Sequence, residues 1–147
     1  MKKVVSVSLG SSRRDHEVRT AVLGVPFEIK RVGTDGDLEQ AVGLLRELDG
    51  RVDAIGLGGI DVFLYVDEER YVIRDGERLL AAVRRTPVVD GSGLKNTLER
   101  EVIHYLAAHT DLLPPGTKVL MVSASDRFGM ARAFGDVGCE LIFGDLI

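Results

Sequence analysis

Short apolar runs alternate along the chain with segments of helical periodicity. Residues 3–9 and 52–57 are rich in β-branched and aliphatic side chains, as buried strands are, and residues 27–32 alternate like a strand. Between them, apolar residues recur at helical spacing, at Leu38, Ala41, Val42, Leu45 and Leu48. Asp37 and Gln40 form a capping-box pair at the start of this segment. The first part of the chain therefore predicts strands joined by an amphipathic helix.

The middle of the chain predicts a hairpin and two further helices. Residues 62–66 and 71–73 flank the charged segment 67–70, a pattern that indicates a β-hairpin near 62–73. A short helix, capped by Asp75, is expected to end before Pro87. A short strand at 87–89 precedes a helix with an i, i+4 stripe of Leu94, Leu98, Val102 and Leu106. Residues 18–23 fit either a strand or a short helix.

The recurring order of strand and helix predicts an α/β fold. We expect a doubly wound, mainly parallel, Rossmann-like sheet with helices on both faces and the hairpin standing off it. Pro114, Pro115 and Gly116 predict a boundary between a substrate-type domain, 1–113, and a first βαβ unit of a dinucleotide-binding domain, 117–147. The two could also pack as one domain. Because a complete dinucleotide domain needs more strands, we expect a fragment of a longer protein, although the last βαβ could instead join the preceding sheet.

Composition narrows the class of protein. The chain has 147 residues, a net charge of −4 and a single cysteine. An acidic chain without a basic stripe is unsuited to binding nucleic acid, and a lone cysteine fits a reducing compartment. No apolar run reaches the length of a membrane span. We therefore expect a cytoplasmic protein that acts on a small molecule, without a nucleic-acid or membrane partner, and a homodimer is a possible assembly.

The turn at 123–129 is the first candidate site. It joins a strand to a helix, as the phosphate-binding turn of a dinucleotide fold does, and an acid follows at the spacing of the ribose-binding residue. The candidate cofactor-binding residues are Ser123, Ser125, Asp126, Arg127, Gly129 and Asp145. Glycine is expected at the first two key positions, where Ser123 and Asp126 stand. Ser125 or Asp126 could instead be a helix N-cap, and Asp145 a solvated strand end.

A second turn, residues 90–96, carries a dense polar set. Asp90, Lys95 and Asn96 accompany two glycines at a strand-to-helix junction, where side chains point into the crevice beyond the strand ends. An N-cap would need only one of these groups. Asp90, Lys95 and Asn96 are therefore candidate functional residues, with Asn96 a candidate for substrate binding.

The loop after the first strand is the third candidate. Ser11 and Ser12 precede Arg13 and Arg14, and hydroxyls with guanidinium groups can hold an anion. A solvated loop fits the same residues. His104 and His109 have no partner at ligand spacing, so no metal site is predicted, and Cys139 is expected to be a buried small hydrophobe.

These stretches together resemble the shikimate/quinate dehydrogenase family, best between Val88 and Asp145. The segment from Asp90 to Leu94 matches the Asp-Gly-x-Gly-apolar part of that family's turn, and a helix and a βαβ unit follow. The resemblance implies that Asp90 is half of a Lys–Asp catalytic pair and that Ser11 and Ser12 bind the substrate carboxylate. The family's lysine motif is missing from residues 53–61, so Lys95 is the nearby candidate ammonium.

The sequence thus predicts an NAD- or NADP-dependent oxidoreductase acting on a quinate- or shikimate-like hydroxy acid. The alternative is a non-catalytic domain of the same ancestry that binds a small molecule or nucleotide, or that oligomerises. A third hypothesis is an anion-binding enzyme of another class that uses the loop from Ser11 to Arg14.

Overall fold

The chain divides into two units. One comprises Met1–Phe63 and Val72–Gly91, and the other comprises Leu64–Tyr71 and Ser92–Ile147. The computed structural model describes residues 1–66 and 69–145. The predicted boundary at Pro114–Gly116 falls inside the second unit.

The secondary structure alternates between short strands and helices. The strands are β1 (Lys2–Ser8), β2 (His16–Val22), β3 (Val25–Gly33), β4 (Ala54–Gly58), β5 (Phe63–Val66), β6 (Glu69–Val72), β7 (Val88–Val89), β8 (Lys118–Met121) and β9 (Glu140–Phe143). The helices are α1 (Leu38–Leu48), α2 (Arg74–Leu80), α3 (Ser92–Asn96), α4 (Leu98–His109) and α5 (Phe128–Asp136), and a short 3-10 helix spans Ser12–Arg14.

A five-stranded sheet in the order β2-β3-β1-β4-β7 forms the first unit. β1 pairs in parallel with β3 and β4, and β4 pairs in parallel with β7. β2 runs antiparallel to β3, from which it is separated by the two-residue turn Leu23–Gly24. The sheet is therefore mixed, with a hairpin at one edge.

The core of the first unit lies on one face of this sheet. Alternate residues of β1 and β4 are buried there, namely Val5, Val7, Ile55 and Leu57, and they cluster with Ala41, Val42 and Leu45 of α1 and with Leu79 of α2. The expected cap of α1 is confirmed, because the Asp37 side chain accepts a hydrogen bond from the Gln40 backbone N–H at 2.9 Å. In contrast, α2 begins after Ile73, without a side-chain cap.

A small parallel sheet and three helices make up most of the second unit. β8 and β9 pair from Lys118↔Glu140 to Met121↔Phe143, and α5 connects them. Met121, Ala124 and Ala131 form the buried cluster of this unit. Leu94, Leu98 and Val102 of the predicted apolar stripe are exposed, and the buried residue of α4 is Ile103, which lies outside that stripe.

The prediction of one doubly wound, mainly parallel sheet with helices on both faces is wrong. The antiparallel strand β2 makes the large sheet mixed. The buried apolar residues of that sheet share one face. β8 and β9 form a separate two-stranded sheet. The protein is a small mixed α/β protein. β5 and β6 do pair with each other as a two-stranded sheet, while residues 67 and 68 of the predicted hairpin turn lie outside the described residues.

Candidate functional site

The turn that follows β8 is closed by the chain's own carboxylate. Asp145 accepts hydrogen bonds from the backbone N–H of Ala124 at 2.9 Å, from that of Ser125 at 3.0 Å and from the Ser125 hydroxyl at 2.7 Å. These hydrogen bonds, that of the Ser125 hydroxyl foremost, hold the pKa of Asp145 below its ordinary value. Two backbone amides of the predicted cofactor-binding turn therefore already have an anionic acceptor.

The charged residues of the same turn are paired with α3 and α4. Lys95 Nζ lies 2.5 Å from Asp126 Oδ1, with side-chain exposures of 19% and 34%. Arg127 forms an ion pair with Glu99. Lys95, a predicted catalytic residue, and Asp126, a predicted cofactor-binding residue, thus form a half-buried ion pair that fastens the turn to α3.

Gly129 has a packing role at the start of α5. A Cβ atom at this position would lie 2.6 Å from Asn96 Oδ1 and 3.2 Å from both the Lys95 carbonyl oxygen and Arg100 Cδ. Only a residue without a side chain lets α5 approach α3 and α4 this closely. Ser123, at the other end of the turn, is exposed, and its carbonyl accepts a hydrogen bond from the Arg127 backbone N–H at 3.2 Å.

Asp90 lies in the first unit, where its carboxylate accepts a hydrogen bond from the Val62 backbone N–H at 2.7 Å. Lys95 and Asn96 belong to the second unit. The catalytic assignment of Asp90 with Lys95 stays a prediction.

The serine loop after β1 is held by internal hydrogen bonds. Ser12 donates to Asp35 from its backbone N–H at 2.9 Å and from its hydroxyl at 2.6 Å, and the Ser12 hydroxyl is the main cause of the lowered pKa of Asp35. The Ser11 hydroxyl accepts from the Arg13 backbone N–H at 3.3 Å. The predicted substrate-binding hydroxyls are thus engaged within the loop and with Asp35, which follows β3.

Sequence reasoning missed a cavity of about 360 Å³ in the second unit. Two arginines, two other polar side chains and two aromatic rings surround it, together with two glycines: Tyr65, Gly93, Asn96, Thr97, Arg100, Phe128, Gly129 and Arg132. Two predicted site residues, Asn96 and Gly129, line the cavity, and of these only Asn96 has a polar side chain. Two buried side-chain atoms, Glu99 Oε2 and Arg100 Nε, have no hydrogen-bond partner within the described part of the chain. Of these two residues, Arg100 is the one that lines the cavity.

The signal that could have revealed this cavity is a pair of i, i+4 spacings. Phe128 and Arg132 lie one turn apart in α5 and can face the same space. Asn96 and Arg100 have the same spacing in the sequence, across the break at Thr97 between α3 and α4. Tyr65, which completes the wall, comes from a distant strand that no spacing in the sequence connects to the helices.

Two further features bear on the class of protein. No group of at least three His, Cys, Asp or Glu side chains that could hold a metal ion occurs within residues 1–66 and 69–145. Over the same residues, we find no helix with the length and apolar character required to cross a bilayer.

Fold and cavity together define a mixed α/β protein with a polar, arginine-lined pocket. The chain belongs to the family described as "Domain of unknown function (DUF8753)", which matches residues 3–90. A second family, "Domain of unknown function (DUF8754)", matches residues 93–147. No curated protein matches the chain. The junction between the two families coincides with the change of unit between Gly91 and Ser92.

Proposed function

We propose that the chain is a ligand-binding protein whose second unit holds a small anionic molecule in the cavity beside Arg100. The observation that carries the proposal is the buried Nε–H of Arg100, which lacks an acceptor among the described residues. A buried donor that is left unpaired costs roughly 1–3 kcal/mol, and more when it is charged. A ligand oxygen that reached this Nε from the cavity would remove that cost.

The lining of the cavity supports an anion with a flat, partly apolar body. Arg100 and Arg132 supply guanidinium groups, which suit the planar arrangement of carboxylate and phosphate oxygens. Tyr65 and Phe128 supply rings against which a flat group can pack. A cavity of about 360 Å³ lies at the lower end of the range for ligand pockets, so the ligand class is a metabolite-sized carboxylate or phosphate ester.

The oxidoreductase predicted from the sequence would bind its cofactor at the turn 123–129 and not in the cavity beside Arg100. A cofactor pyrophosphate at the turn would have to displace Asp145 from the amides of Ala124 and Ser125. A carboxylate and a pyrophosphate compete for the same donors, and the carboxylate is tethered to the chain. This geometry favours the non-catalytic, small-molecule-binding alternative over the NAD(P)-dependent enzyme.

Calorimetric titration of the full chain tests the proposal with chosen probes. Benzoate and phenyl phosphate present an anion on a ring, and neutral benzamide has the ring and shape of benzoate without its charge. We expect both anions to bind more than tenfold better than benzamide. Replacing Arg100 with Gln should weaken anion binding by about tenfold to a hundredfold, the loss of one charge-assisted hydrogen bond.

Matched variants separate the cavity from general charge effects. Arg132→Gln should weaken binding less, because Arg132 is exposed, and Arg46→Gln on the outer side of α1 should leave it unchanged. Quinate, shikimate, NADH and NADPH are titrated in parallel. Binding of NADH or NADPH that is indifferent to Arg100→Gln would overturn the proposal in favour of the dehydrogenase.

A further inference from the structure

β2 is an edge strand with an open outer side. The order of the sheet places it at the end, next to β3, and every one of its residues is exposed. Its pairing with β3 runs without interruption from His16↔Arg31 to Val22↔Val25. The strand therefore lacks the bulges and prolines by which edge strands usually avoid pairing with another chain.

The turn of the hairpin determines which backbone groups face outward. Leu23 and Gly24 have φ angles of 50° and 78°, as in a two-residue turn whose twist matches the flanking strands. The residues next to such a turn, Val22 and Val25, form a hydrogen-bonded pair, and the pairs alternate from there. The backbone N–H and C=O groups of Glu17, Arg19 and Ala21 consequently point away from β3.

Charges on these residues are arranged in opposite-sign pairs. Within the hairpin, Glu17 lies opposite Lys30 and Arg19 lies opposite Glu28, and an Arg19 nitrogen lies 2.9 Å from Glu28. The sign thus alternates both along β2 and across to β3.

We propose that β2 pairs antiparallel with β2 of a second copy of this chain, about a two-fold axis at Val18. In this register Glu17 of each copy lies opposite Arg19 of the other, and the two Val18 side chains meet at the axis. Across the four strands, the charges then run Lys30, Glu17, Arg19 and Glu28, with alternating sign. Opposite charges placed directly across a pair of strands stabilise the pair, and like charges destabilise it.

The neighbouring register is disfavoured by the same rule. An axis at Arg19 would keep the outward-facing groups paired but would set Arg19 directly against its own copy. Among the registers that keep the outward-facing groups paired, the axis at Val18 is the one that sets Glu17 opposite Arg19. A second copy of the chain is therefore the occupant that the charge pattern of β2 complements.

A dimer formed by one strand pair is expected to be weak. Such an interface is far smaller than the roughly 1,600 Å² of a standard one, so we expect a dissociation constant on the order of 0.1–1 mM. Sedimentation velocity from about 10 µM to about 1 mM, with amide exchange protection of β2, covers that range.

Charge reversal provides the discriminating experiment. Glu17→Arg and Arg19→Glu should each weaken self-association by about tenfold, since two attractive cross-strand pairs become repulsive in each dimer. An equimolar mixture of the two variants should associate again, because one strand is then wholly basic and the other wholly acidic. Arg46→Glu on α1 is the control and should behave as the wild type.

Two further variants protect the test against unfolding. Glu17→Arg with Arg19→Glu in one chain sets like charges against Lys30 and Glu28 within the hairpin. It should still recover dimerisation, because the pairs between the two copies are attractive again. Val18→Lys should prevent dimerisation while leaving the hairpin intact. Monomers at every concentration would overturn the proposal. So would a dimer that is indifferent to the reversals, or one that survives Val18→Lys, because another surface would then carry it.

Discussion

The carboxylate of Asp145 accepts two hydrogen bonds from Ser125, from its backbone nitrogen at 3.0 Å and from its hydroxyl at 2.7 Å. Both residues are candidate cofactor-binding residues in the sequence, and in the structure they bind each other. Asp145, which has the spacing of a ribose-binding acid, therefore contacts the turn at 123–129, which resembles a phosphate-binding turn. The βαβ unit is thus tied from its second strand back to its first turn.

Replacing Asp145 with Asn should destabilise the second unit at neutral pH and flatten its acid dependence. The hydrogen bonds lower the pKa of Asp145, so its ionised form stabilises the fold above the ordinary carboxyl pKa of about 3.9. That contribution is lost as the pH falls through the lowered value. Thermal unfolding between about pH 7 and about pH 2 should show the difference between the variant and the wild type shrinking.

The exposed Asp136, at the end of α5, is the matched control for this prediction. Asp136→Asn should leave the stability at neutral pH close to that of the wild type. Parallel pH profiles for the wild type and Asp145→Asn would contradict the role assigned to the carboxylate.

Gly129→Ala should destabilise the second unit by about 1–3 kcal/mol, the usual cost of overpacking. The added methyl group would lie 3.2 Å from the Lys95 carbonyl oxygen, which is backbone and cannot move aside easily. Chemical denaturation measures the change. Gly135→Ala in the same helix is the control, because its nearest neighbour would be Leu141 Cδ1 at 4.0 Å, and it should stabilise the helix by up to about 1 kcal/mol. Equal effects of the two substitutions would refute close helix packing at Gly129.

Arg31→Gln should loosen the loop between β1 and the 3-10 helix. Its guanidinium donates to Asp15 at 2.8 Å, to the Ser11 carbonyl at 2.9 Å and to the Ser8 hydroxyl at 3.0 Å. Losing these donors should cost about 1–3 kcal/mol of stability and accelerate amide exchange of Gly33, which also donates to Asp15. The exposed Arg13 supplies the control, and an Arg31 variant no less stable than Arg13→Gln would exclude this role.

The pattern of apolar residues predicted individual strands and helices better than it predicted how the strands pair into sheets. β1, β4 and α1 follow from periodicity because Val5, Ile55 and Leu45 are buried and burial imposes the pattern. Residues 18–23 remained ambiguous for the opposite reason. β2 is exposed throughout, so nothing constrains the alternation of its residues, and the antiparallel edge that makes the sheet mixed could not be read from them.

The candidate site was predicted even less well, because its key property is three-dimensional. Spacing identified Ser125 and Asp145, but spacing cannot tell a carboxylate that binds a ligand from one that binds its own turn. Arg100 belongs to no motif, and its significance comes from burial without an acceptor in the described structure. Asn96, predicted as a substrate-binding residue, lines a cavity together with Tyr65, which comes from another part of the chain.

The most direct test of the ligand-binding proposal is the ¹⁵N–¹H resonance of the Arg100 side-chain Nε, followed by NMR during titration with benzoate and phenyl phosphate. We expect this resonance to shift with saturation and to become protected from solvent exchange before the anions reach about 10 mM. The side chain of Arg46 should not respond. An Arg100 resonance that stays unchanged while the amides of Ala124 and Ser125 shift would contradict the account and locate anion binding at the turn.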